Sequence, residues 1–549
     1  MYSVKDEFAQ RLLDTLIGLV ACPSLCGTSD ENTAVDYMQQ VFEGMPYFQE
    51  NPKNLLVHEI PGDRLKRTYL TAFYQSPHST ADTVVLTGHH DVVEVDCYGI
   101  LKDLAFDAKK LTSQIHKLSL NDQAKADLAS GDYLFGRGIL DMKYGLALFI
   151  ELIRDYSGEG FPLNILFLSV PGEETNSEGM LEALKFLAKK QEEGLNYVGL
   201  ILGEPSSRGN DKEPKAVELG ASGKMNLLYF CVGVVSHVNE AFNGLNVSSL
   251  LAAIQSRMEL NLDFCESSHG QRTIPPSSLK MSDLKKRYSV TTPLYGAAYY
   301  NIEILENSFN HILGLAKDLA QEAIQEVMDR YHRTVQSYSG NGKRDLVAVD
   351  TTPVVMTYQQ LFLRTKAATV NLEEKMNEAV KAWREEGMDN QSQAIALVEL
   401  LCDLDPDKSP RVVIGIIPPY YPARYPDVER NDYKKFFGAM QEMIQAAQKH
   451  YHLDIEQQAY CGVSDFSFIE AGDVEGMEVA MENLIGRDLV YGFPMEALLS
   501  LHIPGVVFGS CGREIHQAGE RIYLPYCLDI HPDLTRKFLN ALVKKLKKV

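Results

Sequence analysis

Two glutamates, Glu173 and Glu174, stand side by side in "PGEETNSEGM", directly after the apolar run "LNILFLSV". The run reads as a buried strand, which puts the pair at its carboxyl end. Adjacent carboxylates repel, and closing a site over them strips both of water. A cation removes the conflict: with Glu174 bound to it, Glu173 is free to take a proton from metal-bound water. Other groups fall in similar places. "LTGHHDVV" offers His89 and Asp91, "FGRGILDMKYG" offers Asp141, "ILGEPSS" offers Glu204 and "GREIHQAGE" offers His516. His89, Asp141, Glu174, Glu204 and His516 make a mixed nitrogen and oxygen ligand set. Histidine with carboxylates suits zinc, and a shared carboxylate suits two metals. His89 and Asp91, two apart on extended chain, face one side, so Asp91 can accept the second ring N–H of His89 and fix its tautomer.

Each piece has an ordinary alternative. A single acidic residue after a strand is often a helix N-cap. On residue type and spacing alone, a metal enzyme and a collection of caps and surface carboxylates both stay open. His90 should point away from His89 and pack. His450 and His452, near a helix end, read as dipole partners. "ELGASGKMN" lacks phosphate-loop spacing and has Met225 where Ser or Thr is needed. "FGRGILDMKYG" lacks the glycine spacing of a dinucleotide site.

The elements that must position these groups alternate through the first 205 residues. "DTVVLTGHHDVV" is strand then loop, "LDMKYGLALFIELIRDYS" loop then helix, "PLNILFLSV" strand, "EGMLEALKFLAKKQEEG" helix and "NYVGLILGEP" strand. That alternation implies an α/β layer with a largely parallel sheet, in which ligands collect at the carboxyl ends of strands. From about residue 218 a strand, helix, two-strand and helix order suggests a small sheet with helices on one face, a separate α+β insertion. Residues 359–405 read as polar helices. "RVVIGIIPPYYPARYP" reads as a strand running into a proline-rich break, whose tyrosines either line a pocket or pack a turn. The α/β texture then returns.

Bulk properties narrow the function. A chain of 549 residues should hold two or three domains. A net charge of −21 argues against a nucleic-acid surface. Nine cysteines without a CxxC pair read as reduced thiols in a cytoplasmic protein. The N-terminal stretch carries Asp6, Glu7, Arg11 and Asp14 at helical intervals, an amphipathic helix rather than a signal peptide. No run approaches the roughly 20 apolar residues of a membrane span.

Taken in order, the motifs resemble a family of di-zinc amidohydrolases and exopeptidases that includes aminoacylase, succinyl-diaminopimelate desuccinylase and glutamate carboxypeptidase. "TGHHDVV" resembles its GHxDVV, "GRGILDMKYGLA" its GRGxxDMKxG, "PGEETNSEG" its EE motif, "GEPS" its EP motif, and "GREIHQAGERI" its final histidine motif with a glutamate four residues on. Within that family, the length and "TTPLYGAAYYN", "IIPPYYP" and "CGVSDFSF" look most like the arginine-utilisation (RocB-type) proteins.

The resemblance implies an α/β, phosphorylase/hydrolase-like zinc-exopeptidase catalytic domain with an inserted α+β, ferredoxin-like lid or dimerisation domain. The expected division is 1–217 and 426–549 for the catalytic domain and 218–425 for the insertion. It also implies two Zn2+ ions, with Mn2+ or Co2+ as substitutes. His89 and Glu204 would bind one, Glu174 and His516 the other, and Asp141 would bridge. Glu173 becomes the general base and Asp91 the residue that orients His89. His237 of "CVGVVSHVNEAFNGLNVSSL" would bind the substrate carbonyl, often across a dimer interface, with Gly244 and Asn246 behind it. Asp465 and Arg513 join His237 and Asn246 as candidate substrate-binding residues. The implied activity is hydrolysis of an amide bond in a small N-acyl amino acid or short peptide, in arginine or related amino-acid catabolism. A homodimer through the insertion is part of the expectation; nucleic acid and membrane are not. The rivals are a dipeptidase and an inactive binding or regulatory homologue.

Overall fold

Apolar runs from both ends of the chain meet in one sheet. The computed structural model describes residues 2–210, 212–306, 308–339, 349 and 351–547. The chain divides into two units, the first made of Met1–Ala221, Tyr425–Ala471 and Pro494–Val549, the second of Ser222–Arg424 and Gly472–Phe493. Residues 472–493, expected in the closing catalytic segment, fold with the second unit instead. The reason is apolar: Ile485 and Val490 complete that unit's core, and the Ile485 N–H donates to the Ile416 carbonyl at 2.8 Å.

The first unit's 8-stranded sheet runs in the order Leu55–Glu59, Thr68–Tyr74, Asn164–Val170, Asp82–His89, Asn196–Leu202, Gly505–Val507, Lys215–Ala221, Ile455–Cys461. Its four central strands are parallel. They are apolar along their length because both faces are covered; every residue of Asn164–Val170 is buried. The register pairs His89 with Val170 and Thr87 with Leu202. Three strands therefore end at one level, and the residues at or just beyond their ends are His89, Glu173, Glu174 and Glu204.

Two further features serve the same end of the sheet. The helix Tyr144–Glu159 begins three residues after Asp141. A Cβ added at its Gly145 would stand 2.4 Å from the Gly203 carbonyl oxygen, so glycine lets the helix press against the turn that carries Glu204. A 4-stranded sheet of Tyr133–Phe135, Arg521–Tyr523, Cys511–Arg513 and Ser207–Arg208 leads the chain into Asp141 and into His516. The N-terminal helix Glu7–Val20 is amphipathic as expected. Asp6 caps it by accepting from the Ala9 N–H, and Leu12, Leu16 and Leu19 are buried. No helix among the described residues is long and apolar enough to cross a membrane.

The second unit has the ferredoxin-like order. Gly223–Val232, the helix Val247–Met258, Ser277–Asp283, Tyr295–Ile304, the helix Phe309–Ser339 and Arg411–Tyr421 follow in sequence. Four of these strands pair antiparallel, and Val354–Thr357 adds a fifth, parallel strand at the edge. Helices cover both faces of this sheet, not one. Tyr229 faces Met258 and Ala316 of the first two helices. Leu228, Phe230 and Val232 point the other way, into a core with Leu361, Leu372, Met376, Leu397 and Leu401. The residue alternation of a strand makes both faces apolar, and the polar-looking helices after residue 358 bury the second one. The expected proline break is also absent: Arg411–Tyr421 runs through Pro418 and Pro419 by shifting register between Ile417 and Tyr420. Prolines donate no N–H, and the bulge takes them out of the ladder, while Asn226 and Gln391 side chains donate to the Pro418 carbonyl. Tyr420 and Tyr421 are buried in this packing.

Candidate metal centre

The five proposed ligands converge in the first unit. His89 Nε2 lies 3.1 Å from Asp141 Oδ1 and 3.3 Å from Glu204 Oε1. His516 Nε2 lies 2.8 Å from Glu174 Oε1 and 3.2 Å from Asp141 Oδ2. Asp141 thus turns one oxygen to each histidine. Two groups able to hold a cation follow, His89–Asp141–Glu204 and Asp141–Glu174–His516, sharing that aspartate; His89, Glu173 and Glu174 form a third. Glu173 Oε2 stands 4.0 Å from His89 Nε2. His516, with a side chain 44% exposed, is the most open of the five.

Asp141 lies in a kinked turn, Ile139–Lys143, whose backbone is non-helical at Asp141 and Met142. Asp91 is fully buried between the two glutamates and His89. Its Oδ1 accepts from the Glu173 N–H at 3.2 Å and its Oδ2 from the Glu174 N–H at 3.1 Å. Its main-chain carbonyl is 3.0 Å from His89 Nδ1, while its carboxylate Oδ1 is 3.4 Å from the same atom. An Nδ1–H donor to that carbonyl leaves the Nε2 lone pair facing Asp141 and Glu204. His90 packs as expected, buried with Nδ1 2.9 Å from Ser169 Oγ.

Two positioning residues escaped the sequence reading although they lie inside the quoted motifs. Glu520 Oε1 accepts from the N–H groups of Leu140 and Asp141, and Glu520 Oε2 pairs with Arg137 at 2.5 Å. Arg137 also donates to the His516 carbonyl at 3.2 Å. The signal was the glutamate four residues after His516 and the arginine of "GRG", both of which are buried.

The charge balance calls for cations. Asp91, Asp141, Glu173, Glu174 and Glu204 surround two imidazoles. Burial, opposed by His89 and reinforced by Glu204, holds the Glu173 carboxyl well above the usual range. Burial and Asp141 push Glu204 up to about 8, and burial raises Glu174. Asp141 is held low against its own burial by hydrogen bonds from His516 and His89. Hydrogen bonds to Asp141 and Glu174 raise His516 to about 10. Protons taken up at these sites are a poor substitute for the positive charge that hard oxygen and imidazole donors so arranged would accept from divalent ions. The donor set fits such ions.

A cavity of about 1130 Å3 opens beside the cluster, lined by Asp141, Glu173, Glu174, Glu204 and His516 among others. Of the candidate substrate-binding residues, Arg513 lines it, held by ion pairs to Glu213 and Asp127. Asp465 does not line it. Its side chain is buried, while its neighbours Val463 and Ser464 face the cavity. His237 and Asn246 belong to the second unit. His237 is exposed and its Nδ1 accepts from the Asn239 N–H at 3.2 Å; Asn246 caps Val247–Met258 through the Ser248 N–H.

Residues 118–528 match the Peptidase family M20/M25/M40. The chain is 30% identical to the uncharacterized protein YqjN of Bacillus subtilis (strain 168), over 99% of this chain and 98% of that one. It is 26% identical to protein RocB of the same strain, over 96% and 94%, and 25% identical to a succinyl-diaminopimelate desuccinylase of Wolbachia pipientis wMel, over 56% and 68%. Among solved structures it resembles the M20 family metallo-carboxypeptidase Sso-CP2 from Sulfolobus solfataricus, with a TM-score of 0.51 at 13% identity, covering 98% of this chain and 99% of that one. The aminopeptidase PepT from Bacillus cereus gives 0.50 at 14%, with the same coverage. At these identities the structural likeness speaks for the fold alone.

Proposed function

The chain belongs to peptidase family M20/M25/M40, whose members are metal-dependent hydrolases of amide bonds, and from that premise we propose that it cleaves the amide of a small N-acyl amino acid or short peptide. The observation that carries the reading is Asp141 turning one oxygen to His89 and the other to His516.

In this proposal His89 and Glu204 would hold one cation and Glu174 and His516 the other, with Asp141 offering an oxygen to each. Zinc suits the donors best, with manganese or cobalt as substitutes. When bound, the ions supply acidified water and polarise the substrate carbonyl. Glu173 then takes the proton of the attacking water on its free carboxylate and returns it to the leaving nitrogen. The Asp91 carboxylate fixes the backbone of Glu173 and its main-chain carbonyl the tautomer of His89, so the base and a ligand are set by one residue. His237 is assigned the developing oxyanion on its sequence motif. A homodimer through the second unit belongs to the same proposal. Free thiols at all nine cysteines support a cytoplasmic setting, and the resemblance to the arginine-utilisation proteins supports a place in arginine or related catabolism.

The test is a screen of metal-reconstituted protein over N-acylated and dipeptide forms of arginine, ornithine, citrulline and glutamate. Metal-dependent hydrolysis of one of these classes is expected, and the class cleaved separates deacylase from dipeptidase. Metal-loaded protein inert toward the whole panel would overturn the reading in favour of a binding homologue.

A further inference from the structure

The cavity beside the candidate centre has a floor that the proposed chemistry leaves unused. Lys215–Ala221 and Ile455–Cys461 run parallel at the edge of the large sheet, with Glu456 opposite Ala216 and Gln458 opposite Glu218. Residues two apart on neighbouring strands in register share a face, and all four line the cavity. Glu218 stands out among them. Among the described residues its side chain makes no hydrogen bond and no ion pair. Arg208 attracts it without reaching ion-pair distance, and Glu204 repels it. Burial, with Glu204, pushes its carboxyl up to about 8.

Arg208 also lines the cavity, exposed and in no ion pair with Glu218, while two further charges there are committed elsewhere. Arg513 is tied to Glu213 and Asp127, and Glu514 to Arg521 at 3.0 Å. Glu456, exposed beside the floor, adds negative charge, and Ala216 adds no bulk. A half-buried carboxylate without a partner, facing the cavity, favours a cation that reaches it.

We propose that Glu218, with Gln458 beside it, is the subsite for a cationic end of the substrate, a guanidinium or primary ammonium group. The placement rests on the amide-hydrolase reading, which puts the reacting carbonyl at the ligand cluster that lines the same cavity. A guanidinium would offer two parallel N–H donors to the Glu218 carboxylate and keep others for the Gln458 side-chain oxygen.

The test is titration calorimetry of the zinc-loaded full chain with L-arginine, L-ornithine, L-citrulline and L-glutamate. Citrulline keeps the shape of arginine and replaces the guanidinium with a neutral urea. Wild-type protein should bind arginine or ornithine about tenfold to a hundredfold more tightly than citrulline. Glu218→Gln should reduce that ratio to about threefold or less, with zinc content unchanged. Equal affinity for the cationic and neutral ligands in the wild type overturns the proposal, as does a ratio that survives Glu218→Gln, a preference for glutamate, or no binding of any of the four. The wild-type comparison stands whether or not the variant folds. Hydrolysis of amides without charge discrimination would remove this subsite and leave the hydrolase reading intact; charge-selective binding without hydrolysis of any amide would do the reverse.

Discussion

Arg137 and Glu520 form a fully buried ion pair whose remaining atoms hold the two loops that frame the candidate centre. One partner grips the backbone of Asp141, the other the backbone of His516. The separation of these two ligands is therefore set by side chains that touch neither proposed ion.

Glu520→Gln leaves the Arg137 charge buried without a counter-ion, which should cost about 3–5 kcal/mol of stability. It should also weaken metal binding about 10–100-fold, read by competition with a chelator well below the unfolding temperature. Wild-type metal affinity in this variant would show that the pair stabilises the fold without positioning the site.

Glu173→Gln keeps the shape of the side chain and removes the base. Metal content should stay at the wild-type level while turnover falls by about 10²–10⁴-fold. Unchanged turnover in a substrate assay would refute the assignment of Glu173.

His531 offers a pH test away from the metal site. It is buried, with Nδ1 2.9 Å from the Tyr144 hydroxyl, and burial pushes its ring down to about 3. The unfolded chain protonates this ring near its ordinary value, about 6.5. Below that value the unfolded state binds a proton that the folded state refuses. Stability from this residue is thus complete above about pH 6.5 and declines by about 1.4 kcal/mol per pH unit on the way down toward the folded value. Urea unfolding between pH 7 and pH 5 should show a shallower acid loss for His531→Phe than for the wild type; identical slopes would contradict the argument.

Much of the site was legible because its residues follow apolar strands, and strands buried on both faces are conspicuous runs. "LNILFLSV" located Glu173 and Glu174, and "YVGLILG" located Glu204. What short motifs could not reveal was pairing between distant segments. The alignment of Glu218 with Gln458 depends on the register of two strands more than 200 residues apart in sequence. The second face of the ferredoxin-like sheet was missed for the same reason. Residues 359–405 display helical periodicity, but not the identity of the surface they cover. Asp465 itself is buried, and Ser464, one position earlier, lines the cavity. The Asp91 carboxylate chiefly holds the Glu173 and Glu174 backbone, and its carbonyl is the atom nearer His89.

Gly145→Ala examines how the fold delivers Glu204. The new methyl group would lie 2.4 Å from the Gly203 carbonyl oxygen, and overpacking of this kind costs about 1–3 kcal/mol. A lowered melting temperature is expected together with weaker metal binding. A fully wild-type melting curve and metal affinity would mean that the helix and the turn can separate freely.

The central claim is that one aspartate straddles two cations. Anomalous diffraction at the zinc edge, on crystals grown with ample zinc, tests it directly. Two peaks about 3.5–4 Å apart are predicted, one among His89, Glu204 and Asp141 and the other among Glu174, His516 and Asp141. A single peak, or none within reach of Asp141, would contradict the account.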